Sequence, residues 1–574
     1  MTRRHRQTRL LARTFFGRLF ESDLMPPGMP QVQVLVSVFA FLAAPSLMLP
    51  LYLLKKYVWA GPVVIQTGMA GDRTMALLLV MTATALITLV IWENVFPDRR
   101  DSRILGVLPI PQRSMVLGRL AAIVMLFVIL FLGTTAISSF GFGVLAAMTG
   151  QGSFGVLFAH FVATAAAQSA VFFGIVFVQC ALLIVSGARL AHRLAVALQV
   201  LLIVAVMQMP LLLPSADRYS LDSAGAPLWL STEVAWLLPP LWFLSLYQAV
   251  VGLPYAGATG LVILAAALGF GLPVLALGAY AGSYRRLTRL AVEGRPVSRL
   301  NLPWSGRRVI DRLSSALAGS REGAAVCAFT LRTLSRSRQH RLVLAVWMGL
   351  ALALTISAAL PVLVRFGWAR LAEPSGATLV GPLIFAALIQ AGMRTLFAIP
   401  VEIRARWIFL LHEPRAVASV LEGATAALLV AGVGAPAALA FGMGWVLWGA
   451  TTGLAHATFV AALALLLAQL FGLGLDRVPF TVPYMPGTAK IGKLWPLYLT
   501  LFSVFTYAMA ELEAFALQHA TVYLRTVGVV VGLALMLLAV RRRRAHRLPG
   551  LRFEPDDDGP TVMSLQADRT PGAS

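Results

Sequence analysis

The chain has 574 residues, of which 59% are hydrophobic and only 12% charged, with a mean hydropathy of +0.80. Soluble domains carry about twice that charged fraction, so the composition excludes a water-soluble globule and makes the bilayer the fitting solvent. The formal charge of +23 would suggest nucleic acid in a soluble protein. Here the basic residues gather at the ends of apolar runs, which reads as membrane topology, and no nucleic-acid partner is expected.

The N-terminal stretch 1–31 holds six Arg and no continuous apolar core, so no cleavable signal is expected and the first span serves for targeting. Within it, Leu11, Phe15 and Leu19 recur every four residues, with Arg6, Arg9 and Arg13 on another face. This pattern predicts an amphipathic helix in the membrane interface, its apolar side chains dipped into the bilayer.

Twelve apolar runs then follow, each long enough to span given that about 20 residues cross a bilayer. They cover 32–54, 74–92, 118–146, 155–186, 194–214 and 255–282 in a first half, and 342–364, 377–399, 422–444, 449–473, 494–512 and 521–540 in a second. The expected fold is an all-α polytopic membrane protein of two six-span repeats. With both termini in the cytoplasm, 40 of the 47 Lys and Arg lie inside and 7 outside, as the positive-inside rule requires. The expected division is 1–31 as N-terminal helix, 32–282 as first half, and 283–341 as a cytoplasmic linker with a second amphipathic helix. The second half, 342–540, and a tail, 541–574, complete it. The stretch 293–320 reads as the linker proper, and the tail from Leu548, with Asp556–Asp558, as disordered.

Two inner loops resemble each other. A shift of 303 residues aligns Pro97 with Pro400, Arg103 with Arg406, Leu108 with Leu411 and Pro111 with Pro414. Each loop, 93–119 or 394–423, joins the second span of its half to the third, the weak internal symmetry common in transporters. Both are longer than a plain connection needs and keep Leu108, Trp407 and Phe409 at the water side. Such a segment fits a short helix docked on a partner or on the membrane face, or one packed beneath its own bundle.

On the outer side, 236–252 (WLLPPLWFLSLYQAVVG) carries Trp236, Trp242, Tyr247 and the pair Pro239–Pro240. It suits an aromatic belt and also a hairpin too short to span. Asp72 is the lone carboxylate of the first outer loop, 55–73. Intramembrane ionisable residues are few. His160 and His456 lie near predicted outer ends of spans four and ten, and Glu511 and Glu513 reach water near the outer end of span eleven, so no buried proton relay is expected.

Cys180 and Cys327 have no CxxC or Cys/His neighbour, so neither a metal site nor a disulfide is expected. The sequence GTAKIGK at 487–493 matches a phosphate loop in outline, but Leu494 stands where Ser or Thr would hold Mg²⁺ and no soluble α/β context surrounds it. No catalytic motif or cofactor site is expected on this chain.

The pattern resembles the membrane subunit of type-2 ABC exporters. In that family each six-span half starts with an amphipathic connecting helix, carries a coupling helix between its second and third spans, and has a re-entrant hairpin before its sixth. The first half offers 9–20, 97–117 and 236–252; the second offers 321–341 and 400–421 but has too short an outer segment, 513–520, for a hairpin. The phrases VFPDRRDSRILGVLPIP, LPPLWFLSLYQAVVG, FTLRTLSRSRQHRL and VPFTVPYMPG are similar to bacterial permeases of this class. The resemblance implies a multi-pass protein of the bacterial cytoplasmic membrane and two copies of a separate cytoplasmic ATPase, which carry the ATP. Arg99, Arg100, Asp101, Arg103 and Leu108 would make one docking surface; Arg404, Arg406, Trp407, Phe409 and Glu413 would make the other. Pro239, Pro240, Trp242 and Tyr247 would belong to an outer gate. A homodimer is compatible with the sequence. The alternatives are an ion-coupled secondary transporter of six plus six helices and a non-transporting membrane scaffold.

Overall fold

The structure is a computed structural model that describes residues 3–19, 31–57, 59, 62–92, 95–96, 105, 107–150, 152–216, 233–252, 258–293, 304–401, 417–481 and 491–548. Among these the regular structure is helical, with no strand. That follows from the sequence: in lipid only a helix satisfies every backbone polar group within its own segment.

In the first half, α1 is Arg3–Leu19, α2 is Gln31–Tyr57 and α3 is Pro62–Val90. Helix α4 runs from Gln112–Phe131 through a π turn, Leu132–Ala136, into Ile137–Met148. Helix α5 is Ser153–Ala216 and α6 is Pro239–Val251. Helix α7 runs from Thr259–Ala266 through a second π turn, Ala267–Gly271, into Leu272–Glu293.

Two helices precede the second membrane half, α8 (Trp304–Leu317) and α9 (Arg321–Arg336). Then come α10 (Arg338–Leu371) and α11 (Gly376–Leu396). Helix α12 runs from Val417–Leu429 through a π turn, Val430–Gly434, into Ala435–Trp448. Helices α13 (Ala450–Leu473), α14 (Ile491–Leu517) and α15 (Ala520–His546) complete the chain.

Ten helical segments among the described residues are long and apolar enough to cross a membrane. The two other expected spans, 32–54 and 194–214, are helical as well, in α2 and in the later part of α5. The expected turn at 187–193 is absent as a break, because helical hydrogen bonding is assigned throughout α5. Contacts nevertheless require a reversal. Arg73 and His160 both meet the Tyr247 ring. Along α3, Leu89 is about 24 Å from Arg73, whereas Gln199 would be about 58 Å from His160 along a straight helix at 1.5 Å per residue. Yet the Gln199 side chain donates to the Leu89 carbonyl. The segment therefore doubles back between His160 and Gln199.

The returning part of α5 joins the halves. Ile203 shares a buried cluster with Leu89, Trp92 and Ala345, and Gln208 Nε2 donates to Gly349 O of α10 at 3.1 Å.

Several local features recur in both halves. Helix α1 packs on α4, and α9 packs on α12. Each contact is made at a glycine: a Cβ on Gly118 would lie 2.8 Å from the Leu11 Cβ, and one on Gly423 would lie 2.2 Å from the Gly323 carbonyl oxygen. The π turns of α4 and α12 start 298 residues apart, at Leu132 and Val430. Each receives a buried glutamine. Gln168 Oε1 accepts from Thr134 and Thr135 at 3.3 and 3.2 Å, and Gln390 Nε2 donates to Gly432 O at 3.2 Å. A π turn leaves carbonyls without their usual i+4 donor, and Gln390 supplies one to Gly432, whereas Gln168 accepts from the threonine hydroxyls of its turn.

Three sequence readings are corrected. The apolar stripe of α1 is not dipped into lipid: Leu11 and Phe15 are buried against α4, with the Arg119 guanidinium 4.8 Å over the Phe15 ring. The stretch 293–320 is not plain linker, because it contains α8. Arg73 is not in an outer loop but buried within α3. Helices α12 and α13 are separate and form a tight hairpin. It turns at Gly449 (φ 88), where only glycine is comfortable, and crosses where Gly444 and Gly453 meet backbone to backbone.

Candidate functional site

The end of the first half that carries 236–252 is built around α6. Pro239 and Pro240 occupy its first turn, where a missing N–H costs nothing, and Gly252 at φ 89 ends it. Its 13 residues reach about 20 Å, short of the roughly 30 Å hydrocarbon core, and it doubles back on the start of α7. The Trp242 indole donates to the carbonyls of Ala235 and Trp236 at 3.1 and 3.2 Å, closing the preceding 3₁₀ turn, Glu233–Leu237.

Tyr247 is fully buried. Its hydroxyl donates to Val156 O at 3.4 Å, the Arg73 guanidinium lies 4.8 Å over its ring, and His160 meets it edge-on at 6.0 Å. Pro240 is buried too, while Pro239 and Trp242 are half-buried. Trp236 and Leu237 are the exposed large side chains of the segment. Tyr247 thus anchors the hairpin. Beside it, Asp72 accepts from Lys56 at 2.7 Å and from the Tyr57 hydroxyl.

The two histidines differ. His160 Nε2 pairs with Ser138 Oγ at 3.1 Å and its ring stacks on Phe142 at 4.1 Å, as a core histidine would. His456 of α13 instead bonds Glu513 of α14, Nδ1 to Oε1 at 2.7 Å, and neither side chain is exposed. The indole of Trp448 stands edge-on to the imidazole at 5.7 Å. Glu513 therefore does not reach water, contrary to the sequence reading, whereas Glu511 is exposed as expected. The other polar atoms of the pair, His456 Nε2 and Glu513 Oε2, are buried without a hydrogen bond among the described residues. Sequence reading placed both residues at outer ends but had no means of pairing them.

At the end of the bundle that carries loops 93–119 and 394–423, nine of the ten residues assigned to docking lie outside the described residues: Arg99, Arg100, Asp101 and Arg103 in the first loop, and Arg404, Arg406, Trp407, Phe409 and Glu413 in the second. Leu108, the tenth, is 47% exposed beside the still more exposed Val107. The roots of both loops are pinned by side chains. In the first half the Tyr280 hydroxyl donates to Val95 O at 2.8 Å and Arg119 donates to Phe96 O. In the second, His340 Nε2 bonds Ile399 O at 3.1 Å, and Phe480, at φ 68, exchanges backbone bonds with Phe397 and Val401. Next to this second root a groove of about 810 Å³ opens between α8 and α9, lined by Ala324, Ala328, Phe329, Arg332, Arg336 and Val401.

Sequence reading also missed Arg541, counting it with the basic tail. It is buried in α15, donating from Nε to Gln469 Oε1 at 3.1 Å and from Nη1 to Thr425 Oγ1 at 3.0 Å. Its neighbour Arg542 pairs with Glu422 at 2.9 Å. The only cue was that the apolar run of α15 continues into the arginines without a helix breaker.

The buried cysteine Cys327 of α9 packs against Ala318. Burial pushes its thiol above the ordinary range, partly offset by the nearby Ser314 hydroxyl. No three His, Cys, Asp or Glu side chains among the described residues converge as a metal site. Comparison of the chain with protein-family models, with curated proteins and with solved structures finds no match.

Proposed function

We propose that this chain is the membrane subunit of an ATP-driven exporter in a bacterial cytoplasmic membrane, working with two copies of a separate ATPase that dock on loops 93–119 and 394–423. The observation that carries this reading is the repeated support beneath those loops. In each half the loop enters a third span, α4 or α12, that is clasped at a glycine by an amphipathic helix, α1 or α9. A push on either loop is thereby passed to a stiff helix pair. In this reading ATP closes the ATPase dimer and the loops carry the motion into the spans. Arg99, Arg100, Asp101, Arg103, Arg404, Arg406 and Glu413 set register at the rim, and Leu108, Trp407 and Phe409 anchor. The groove by Val401, with Arg332 and Arg336 on its wall, extends the second surface.

The test is co-purification with the ATPase of the same operon. Neutralising Arg99, Arg100, Arg103, Arg404 and Arg406 together should abolish association in low salt. Association unchanged by those five substitutions sinks the docking assignment.

A second reading, an ion-coupled transporter, is favoured by one observation, the fully buried pair His456–Glu513. Membrane-embedded ionisable groups are functional candidates by default. Transport in proteoliposomes separates the two: uptake driven by a proton gradient without ATP, and lost in Glu513→Gln, selects the second.

A further inference from the structure

Helix α8 is amphipathic, but the face it turns to the protein is not its apolar one. Ser314 is buried, Ala318 just past the helix joins the core beside Cys327, and Asp311 reaches Arg332 of α9. Val309, Leu313 and Leu317 recur every four residues on one stripe, and they are 52%, 40% and 46% exposed. Arg308 and Arg312 border that stripe and are exposed as well. The helix's single carboxylate, Asp311, is the residue engaged with Arg332. Helix α1 makes the contrast, since its own stripe is covered by α4.

The position of α8 decides what covers the stripe. A Cβ on Gly319, just beyond its end, would lie 3.8 Å from the Glu422 carboxylate in the first turns of α12. Helix α9, on which α8 lies, runs from Ser419 and Gly423 of α12 to the start of α10. It therefore links the cytoplasmic ends of two membrane helices and holds α8 at the level of the leaflet surface. At that level the surface complementary to an apolar stripe edged with arginine is an anionic lipid leaflet.

We propose that α8 is an interfacial lipid-binding helix, with Val309, Leu313 and Leu317 among the acyl chains of the cytoplasmic leaflet and Arg308 and Arg312 at anionic headgroups. The assignment is independent of the transport reaction. It also gives the segment between the halves a role as a tether.

The test places a nitroxide by Leu313→Cys or, as control, Ser315→Cys in the full chain; both native cysteines are buried. The protein is held in nanodiscs of phosphatidylglycerol and phosphatidylethanolamine without any partner. At 313 relaxation by oxygen should exceed relaxation by a water-soluble nickel chelate several-fold, with the order reversed at 315. Adding Arg308→Gln and Arg312→Gln should move the label at 313 toward the nickel chelate. Should the cysteine variants misfold, the unmodified chain can be labelled in proteoliposomes with a lipid-soluble aryl diazirine, which should mark the peptide 304–317. The proposal is overturned if the nickel chelate reaches 313 as readily as 315, or if the diazirine marks the spans but not 304–317. Protection of 313 that arises only when the ATPase is added would overturn it as well, in favour of a protein-docking surface.

Discussion

His456 Nδ1 lies 2.7 Å from Glu513 Oε1, and this single bond ties α13 to α14 at zero exposure. Breaking a buried pair from one side strands the other group, at a cost of about 3–5 kcal/mol, while removing both is far cheaper. His456→Phe and Glu513→Leu should each lower the unfolding temperature of the purified protein by many degrees. The double variant should recover most of the loss. Two single variants that melt with the parent would show that the pair is not coupled.

Gly423 and Gly323 permit the clasp of α9 on α12, since a Cβ on Gly423 would lie 2.2 Å from a carbonyl oxygen. That atom is backbone and cannot step aside. Gly423→Ala should force the helices apart and remove the folded protein from the membrane fraction, and Gly118→Ala should act the same way less severely, because its closest approach, to the Leu11 Cβ, is 2.8 Å and not 2.2 Å. Gly528→Ala, at a position with open space, should leave the yield unchanged or slightly raised, by about 1 kcal/mol of helix propensity at most. Equal expression of all three, followed on size-exclusion profiles, would contradict the packing described.

Arg541 holds Gln469 and Thr425 from within α15. Hydrogen bonds to charged groups contribute about 1.5–3 kcal/mol each, so Arg541→Met should destabilise the second half. Arg543→Gln, on an exposed position of the same run, should change stability by less than about 0.5 kcal/mol. Topology, read by cysteine accessibility at the C-terminus, should be unchanged in both. A flipped C-terminus in Arg541→Met would make this arginine a topology signal instead.

The Cys327 thiol is raised by burial, with the nearby Ser314 hydroxyl partly opposing. A raised acid favours its neutral form in the folded state. The stability it protects is therefore intact below the ordinary thiol value of 9.0 and declines as pH rises past it. Maleimide labelling should be slow at neutral pH, rise only at distinctly alkaline pH, and slow further in Ser314→Ala. Labelling of the native protein as fast as that of the urea-unfolded chain at pH 7.5 would refute this.

The spans were legible because a hydrophobic period over 20 residues is a long-range average that one polar residue does not disturb. The arrangement of buried polar side chains was not, because each bond joins helices far apart in sequence. His456 and Glu513 are 57 residues apart, and Arg541 and Thr425 are 116 apart. Charge placement misled where an arginine finds partners inside the bundle. Arg73 and Arg541 count toward topology in the sequence, yet one lies over Tyr247 and the other bonds Gln469. The stripe of α1 shows the same limit from the apolar side: periodicity reveals a sticky face without saying whether lipid or protein covers it. The hairpin at 236–252 was readable, since a proline pair and a terminal glycine are local signals.

Helix α6 stands before α7, whereas α14 and α15 are joined by Gln518 and His519 alone. A symmetric dimer built from one such half would carry this outer ornament twice or not at all, because both copies are read from the same gene. Holding both halves in a single polypeptide frees each to drift without the other. The two halves therefore end differently, one capped by α6 and the other bare, an inequality that no assembly of identical subunits about a two-fold axis could acquire.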